Sequence, residues 1–169
     1  MPTKYNRRAA ANYAMKYAIV PNDAYKYFQS INENGGDCTN FVSQCLRAGG
    51  ATMDYNNHRP WWYDTRKGKA SVCWAVAHSL YWYLKTNQSI NKNVIKGLEV
   101  DNAQDLEIGD LIFYENHRNI IFHSAIVTSF VDAFGKREPL ISQHTFNLLN
   151  VTYKKDYSYK KSHFLKITL

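Results

Sequence analysis

Gly35-Gly36-Asp37-Cys38-Thr39-Asn40-Phe41-Val42-Ser43-Gln44 puts a cysteine where a glycine-opened turn passes into a helix. Phe41, Val42, Cys45 and Leu46 recur at helical spacing, and Gly49-Gly50 supplies the stop. Asp37 stands where a carboxylate caps the first turn. Cys38 precedes Phe41, Val42 and Cys45 on one helical face, so its sulfur sits at the tip of a buried helix. There the peptide dipoles and the unpaired first-turn N–H groups favour thiolate over thiol. A small core cysteine would fit the same helix. The two glycines favour a nucleophile, because they let a substrate backbone come close to the sulfur.

A thiolate used in catalysis needs a base, and the chain has six histidines. His123 lies in Phe122-His123-Ser124-Ala125-Ile126-Val127, a strand-forming run, and His144 lies in Leu140-Ile141-Ser142-Gln143-His144-Thr145. Asp132-Ala133-Phe134-Gly135 between them reads as the tight turn of an antiparallel hairpin. With Ala133 and Phe134 as the loop, His123 falls opposite His144, where Cβ atoms lie about 5 Å apart. The reading is a Cys38, His123, His144 triad in which His123 deprotonates the thiol and His144 fixes its tautomer. A bulge at Gly135 would bring Gln143 or Thr145 opposite instead, and Asn147 could supply an orienting amide. His58, His117 and His163 stand in polar or basic surroundings and read as solvated, while His78 falls inside a helical pattern and reads as structural.

Outward from the hairpin, Tyr5, Ala9, Tyr13, Ala14, Tyr17 and Ala18 mark an N-terminal helix at about 4–19, closed by Pro21. A loop carrying Trp61 and Trp62 could wall a substrate groove, since flat apolar rings suit sugars and peptide backbones. A helix from about Ser71 to Lys85 follows, with Ser71 as its cap. Ile108-Gly109-Asp110 turns into a strand at Leu111 to Glu115, and a last strand runs from Phe164 to Leu169.

The 169 residues fit one domain, 1–169, with 45% hydrophobic and 21% charged residues; the aromatic share, 15%, is high. Three cysteines without a CxxC pair indicate neither a disulfide framework nor a zinc site, and no cofactor motif is present. The net charge of +7 calls for an anionic partner, such as an anionic wall polymer. Lys154, Lys155, Lys160 and Lys161 alternate with Tyr153, Tyr157 and Tyr159, which reads as lysines guarding a strand edge rather than a specific nucleic-acid surface. No run is long enough to span a membrane and no signal-peptide core opens the chain; a secreted or wall-associated protein is expected, with a cytoplasmic location left open. A monomer is expected.

GGDCTNFVSQCLRAGG at 35–50, IGDLIFYE at 108–115, FHSAIV at 122–127 and ISQHT at 141–145 together resemble the bacterial "Putative amidase domain" family. That family is similar to the papain-like cysteine hydrolases that include cell-wall peptidases and CHAP amidases. The resemblance runs from about Asn12 to the C-terminus. It implies an α+β, papain-like fold with the nucleophile helix packed on an antiparallel sheet. It also implies Cys38 as nucleophile, His123 as base and His144 as third polar group, acting through a thioester on peptide or peptidoglycan-like amides. The Cys38 backbone N–H is one oxyanion donor. Tyr25 or Tyr27, placed like a tyrosine of related peptidases, is the candidate for the second. Asp37, Trp61, Trp62 and Asn147 are the groove candidates. Cell-wall peptidases more often carry Ser-Gly where Thr39-Asn40 stands, so their substrate preferences do not carry over. An acyl or γ-glutamyl transferase on the same site, and a non-catalytic wall-binding module, are the alternatives.

Overall fold

The computed structural model describes residues 4–30, 35–56, 58–90 and 93–169. Helix α1 spans Arg7–Tyr17, three residues shorter at its start than the alanine-tyrosine pattern suggests, because the Asn6 side chain accepts from Ala9 N–H and caps it there. Its buried stripe is Ala10, Ala11 and Ala14, residues small enough to bring it close against α2. Helix α2, Cys38–Ala48, begins at the cysteine, and every residue from Cys38 to Leu46 is buried.

The expected helix from Ser71 to Lys85 is two helices, α3 (Val72–Ala75) and α4 (Ala77–Thr86), parted by Val76 in an extended conformation. Ser71 does not cap α3; its hydroxyl accepts from Trp62 N–H instead and ties the tryptophan loop down. Before α3, the short strands β1 (Tyr63–Asp64) and β2 (Lys69–Ala70) form a hairpin.

The remaining strands are β3 (Lys96–Val100), β4 (Leu111–Glu115), β5 (Ile121–Ala133), β6 (Lys136–Gln143), β7 (Leu148–Thr152) and β8 (Lys161–Thr168). They form one antiparallel sheet in the order β3-β8-β4-β5-β6-β7. β4 starts where Ile108-Gly109-Asp110 turns, and buried Asp110 fixes that turn by accepting from Ile167 N–H and Glu107 N–H while pairing with Arg7. The sheet has a core on each face, as strand alternation requires. Phe113 and Ile126 pack with Phe41, Val42, Leu46, Trp74, Leu80 and Leu84 of the helices. Ile112, Tyr114, Ala125, Val127 and Ile141 form the other cluster, against Leu106 and the chain that returns from β7 to β8. Among the described residues no helix is long and apolar enough to cross a membrane.

The hairpin differs from expectation in a way that decides the site. Ala133 pairs with Lys136, so Phe134 and Gly135 are the loop, both at positive φ (52° and 73°) as a type I′ turn demands. A bulge then shifts the register: Ser129 faces Leu140, but Val127 faces Ile141. His123 and His144 are therefore not an opposed pair. Gln143, two residues beyond Ile141, shares the face of Val127, Ala125 and His123 and lies diagonally from His123, while His144 turns to the helical face.

Candidate active site

Cys38 opens α2 and is 7% exposed. As the helix's first residue, it presents an N–H with no carbonyl partner inside the helix. The thiol lies against β5. Thr39 Oγ1 is 3.0 Å from Ser124 Oγ and Cys38 Sγ is 3.5 Å from Thr39 Oγ1, which sets the sulfur beside the Ser124 backbone and the His123 side chain. Burial by itself would push this thiol up. The His123 charge and hydrogen bond, with those of Thr39 and Ser124, overcome it and bring Cys38 down to about 7. The other two cysteines go the other way, since burial pushes both Cys45 and Cys73 up. One thiol of three is thus poised to ionise near neutrality.

Gln143, which the sequence reading admitted only through a bulge, holds His123. Its Nε2 donates to the Thr145 and Phe146 carbonyls, 3.4 and 3.2 Å away, and this turns Oε1 toward His123 Nε2 at 2.9 Å. An amide oxygen only accepts, so Nε2 of His123 carries the proton and Nδ1 is the nitrogen left to face the thiol. The imidazole also lies against Tyr114, with ring centroids 5.5 Å apart.

His144 does not orient His123. Both of its nitrogens are engaged elsewhere, Nδ1 with Asp37 Oδ2 at 2.5 Å and Nε2 with the Tyr17 carbonyl at 2.9 Å, and its ring stacks on Phe41 at 4.0 Å. Asp37 occupies the N-cap position of α2, as expected, but its side chain makes no capping hydrogen bond, and its burial keeps it off any groove surface. It is 1% exposed, and its carboxylate accepts from Phe28 N–H, Asn40 Nδ2 and His144 Nδ1 instead of from the first turn of the helix. The Asp37 N–H donates to Thr145 Oγ1, and Gly36, at φ +126°, lets the chain pass this hydroxyl, which a Cβ would approach to 2.7 Å. The glycine serves the packing of the β6–β7 loop beside Cys38.

The tyrosine candidates separate. Tyr25 packs on Tyr63 and Trp74 at the edge of the helical core. Tyr27 stands on the site side, its hydroxyl donating to Asn147 Oδ1 at 2.9 Å. Burial, then the Asp37 charge, raise it, and the charge of Cys38 also reaches it. Asn147 thus serves Tyr27, not His123. Trp61 is fully buried among Trp74 and Tyr83 with its indole N–H on Ser43, so it cannot wall a groove. Trp62 lines a cavity of about 600 Å³ with Arg59, Val72, Cys73, His78 and Trp82, and neither Cys38 nor His123 is among the residues lining it. Of the histidines read as solvated, His58 and His117 are exposed, but His163 is buried between Glu99 and Glu115, at 2.5 and 2.6 Å. His78 accepts from Ile121 N–H and anchors the start of β5.

The lysine-tyrosine tract is not simply an edge guard. Lys154 pairs with Glu138 and Lys160 with Glu115, but Lys155 turns inward, donates to Gln143 Oε1 and lies over the Tyr114 ring at 4.9 Å. Burial, against the Asp156 and Cys38 charges, draws this ammonium down to about 8. Tyr157 is pushed up to about 12 by burial and by the Tyr159 and Cys38 charges, and its ring meets Phe122.

The "Putative amidase domain" family matches residues 4–167, and the chain belongs to it. Two proteins of Bacillus subtilis (strain 168), both named as uncharacterized, are similar in sequence. YhbB is 37% identical over 127 residues, 70% of this chain and 37% of its own length. YjcM is 32% identical over 155 residues, 87% of this chain and 32% of its own length. The chain therefore spans about a third of these relatives. No solved structure matches.

Proposed function

We propose that this chain is a cysteine-dependent amide hydrolase of papain-like design. The observation that carries the reading is the Cys38 thiol at the head of α2, set against the β5 segment that bears His123, whose far nitrogen Gln143 holds; the shift of Cys38 down to about 7, while the other two thiols are raised, agrees with it. The thiolate attacks an amide carbonyl, and the Cys38 N–H receives the developing oxyanion. The imidazolium of His123 protonates the departing amine as the tetrahedral intermediate collapses to a thioester. His123 then takes a proton from water, whose oxygen adds to the thioester; collapse expels the Cys38 thiolate and releases the acid. Gln143 keeps one tautomer throughout, the role assigned from sequence to His144. To Tyr27, on turning from Asn147, we assign the second oxyanion contact.

As substrate we propose peptides of the bacterial wall, reached from outside the cell, with the chain acting as a monomer and its net charge of +7 favouring anionic wall polymers. The test is mass spectrometry of purified peptidoglycan incubated with wild type and with Cys38→Ala. New fragments with wild type alone, mapping to one amide bond, are expected. Identical digests from both proteins would overturn the wall substrate, and cleavage by Cys38→Ala at the wild-type rate would overturn the mechanism.

A further inference from the structure

We infer that Lys155 sets the specificity of this site, receiving a carboxylate that the substrate carries beside the amide attacked by Cys38. The inference rests on the hydrolase reading above and names the kind of substrate it takes.

Lys155 lies in the chain between β7 and β8, directed toward the cluster around Tyr114. Its ammonium donates to the same Gln143 oxygen that accepts from His123 Nε2, so one acceptor atom separates the cation from the candidate base. Its neighbours in the tract have carboxylates, Lys154 that of Glu138 and Lys160 that of Glu115. Among the described residues none lies within ion-pairing distance of Lys155, and Gln143 takes the one hydrogen bond its ammonium makes. A half-buried cation loses hydration, and the Asp156 and Cys38 charges, neither within ion-pairing distance, offset only part of that loss, so burial still draws Lys155 down to about 8. A carboxylate brought by the substrate would supply the missing charge. An ammonium also has three donors, of which Gln143 uses one.

The position distinguishes this role from that of an oxyanion donor. Lys155 sits on the Nε2 side of His123, across the ring from the nitrogen that faces the sulfur. Its cation therefore suits a group flanking the reacting carbonyl, not the carbonyl oxygen itself. The class implied is a peptide with a free carboxylate next to the scissile amide.

Two alkylating agents of nearly equal size, iodoacetate and iodoacetamide, test this without knowledge of the substrate. The Cys38 alkylation rate is read by mass spectrometry on the full chain, and the iodoacetate-to-iodoacetamide ratio is normalised to that of glutathione. An ammonium several ångströms from the sulfur should raise this ratio about tenfold in wild type over Lys155→Met and Lys155→Gln. Lys155→Arg should keep most of the preference, and in wild type alone it should fade as pH rises through about 8. Unchanged ratios in Lys155→Met and Lys155→Gln, with wild-type iodoacetamide rates, would overturn the inference and leave the hydrolase reading standing. Loss of iodoacetamide reactivity in both variants, with native circular dichroism, would overturn it in favour of a role in holding Gln143. A wild-type Cys38 no faster than Cys45 toward iodoacetamide would remove the hydrolase reading itself and this inference with it.

Discussion

If His144 is a structural clamp and not the orienting member of a triad, its removal should cost stability and spare the chemistry at Cys38. In His144→Ala the Asp37 Oδ2 atom loses its partner at a site where both residues are 1% exposed, the Tyr17 carbonyl loses a donor, and the ring stacked 4.0 Å from Phe41 is gone. Removing a hydrogen-bond partner from a buried carboxylate costs about 3–5 kcal/mol, because the group it leaves stays buried. For a chain of this size each kcal/mol shifts Tm by roughly 2–4 °C, so a fall on the order of 6–20 °C is expected. Asp37→Ala should cost at least as much, since Phe28 N–H and Asn40 Nδ2 lose their acceptor along with His144. The double variant should fall short of the sum by about 2–3 kcal/mol, the signature of a direct contact. Urea denaturation followed by circular dichroism gives these energies, and iodoacetamide labelling of the folded fraction gives Cys38 reactivity. His144→Ala that loses less than about 1 kcal/mol yet abolishes Cys38 labelling would refute the clamp and restore the triad drawn from sequence.

Three further outcomes follow from the same geometry. The iodoacetamide rate at Cys38 should rise with pH through a midpoint near 7, whereas in His123→Ala burial is left as the main influence and the midpoint should move above the ordinary thiol range; coincident profiles would deny the pairing. Gln143→Leu should lower turnover by about 10- to 100-fold through loss of the tautomer while Gln143→Glu, which keeps an acceptor at Oε1, should retain more activity; equal activity of Gln143→Leu and wild type in the peptidoglycan assay would exclude the orienting role. Trp61→Ala should destabilise the fold by about 3–5 kcal/mol in urea, and a variant with native stability and a raised KM would return Trp61 to the groove.

What could be read from the sequence was whatever local pattern alone determines. Gly35-Gly36 and Gly49-Gly50 bracket α2, and the apolar stripe between them admits one period. β4 needed only the turn at Gly109 and an uninterrupted apolar run, and its bounds agree. Misplacing the β5–β6 turn by one residue has a definite cause: an aromatic at positive φ is rarely chosen, yet Phe134, fully exposed, takes that place beside Gly135. β3 and β7 carry little apolar alternation, so pairing with β8 and β6 is what makes them strands. Lys155 and His163 were hidden for a related reason, since whether a basic residue faces water or a buried partner depends on elements distant in sequence. His163 meets Glu99 and Glu115, 64 and 48 residues away.

The adjacent residues Gln143 and His144 join these levels, because successive strand residues point to opposite faces. Gln143 reaches His123 on one side, and His144 is bolted to Asp37, the residue that precedes Cys38, on the other. The end of β6 thus grips the base with one side chain and the head of the nucleophile's helix with the next. Thr145 adds a third hold through the Asp37 N–H. The spacing between sulfur and imidazole is then set by a dipeptide crossing the sheet, not by the chain of helices and strands, α3, α4 and β1 to β4, that joins α2 to β5. A register slip of one residue would exchange the two faces, offering His123 an imidazole and Asp37 an amide. The bulge between Val127 and Ser129 fixes the register against that exchange, which makes an irregularity of the ladder a condition of the site's geometry.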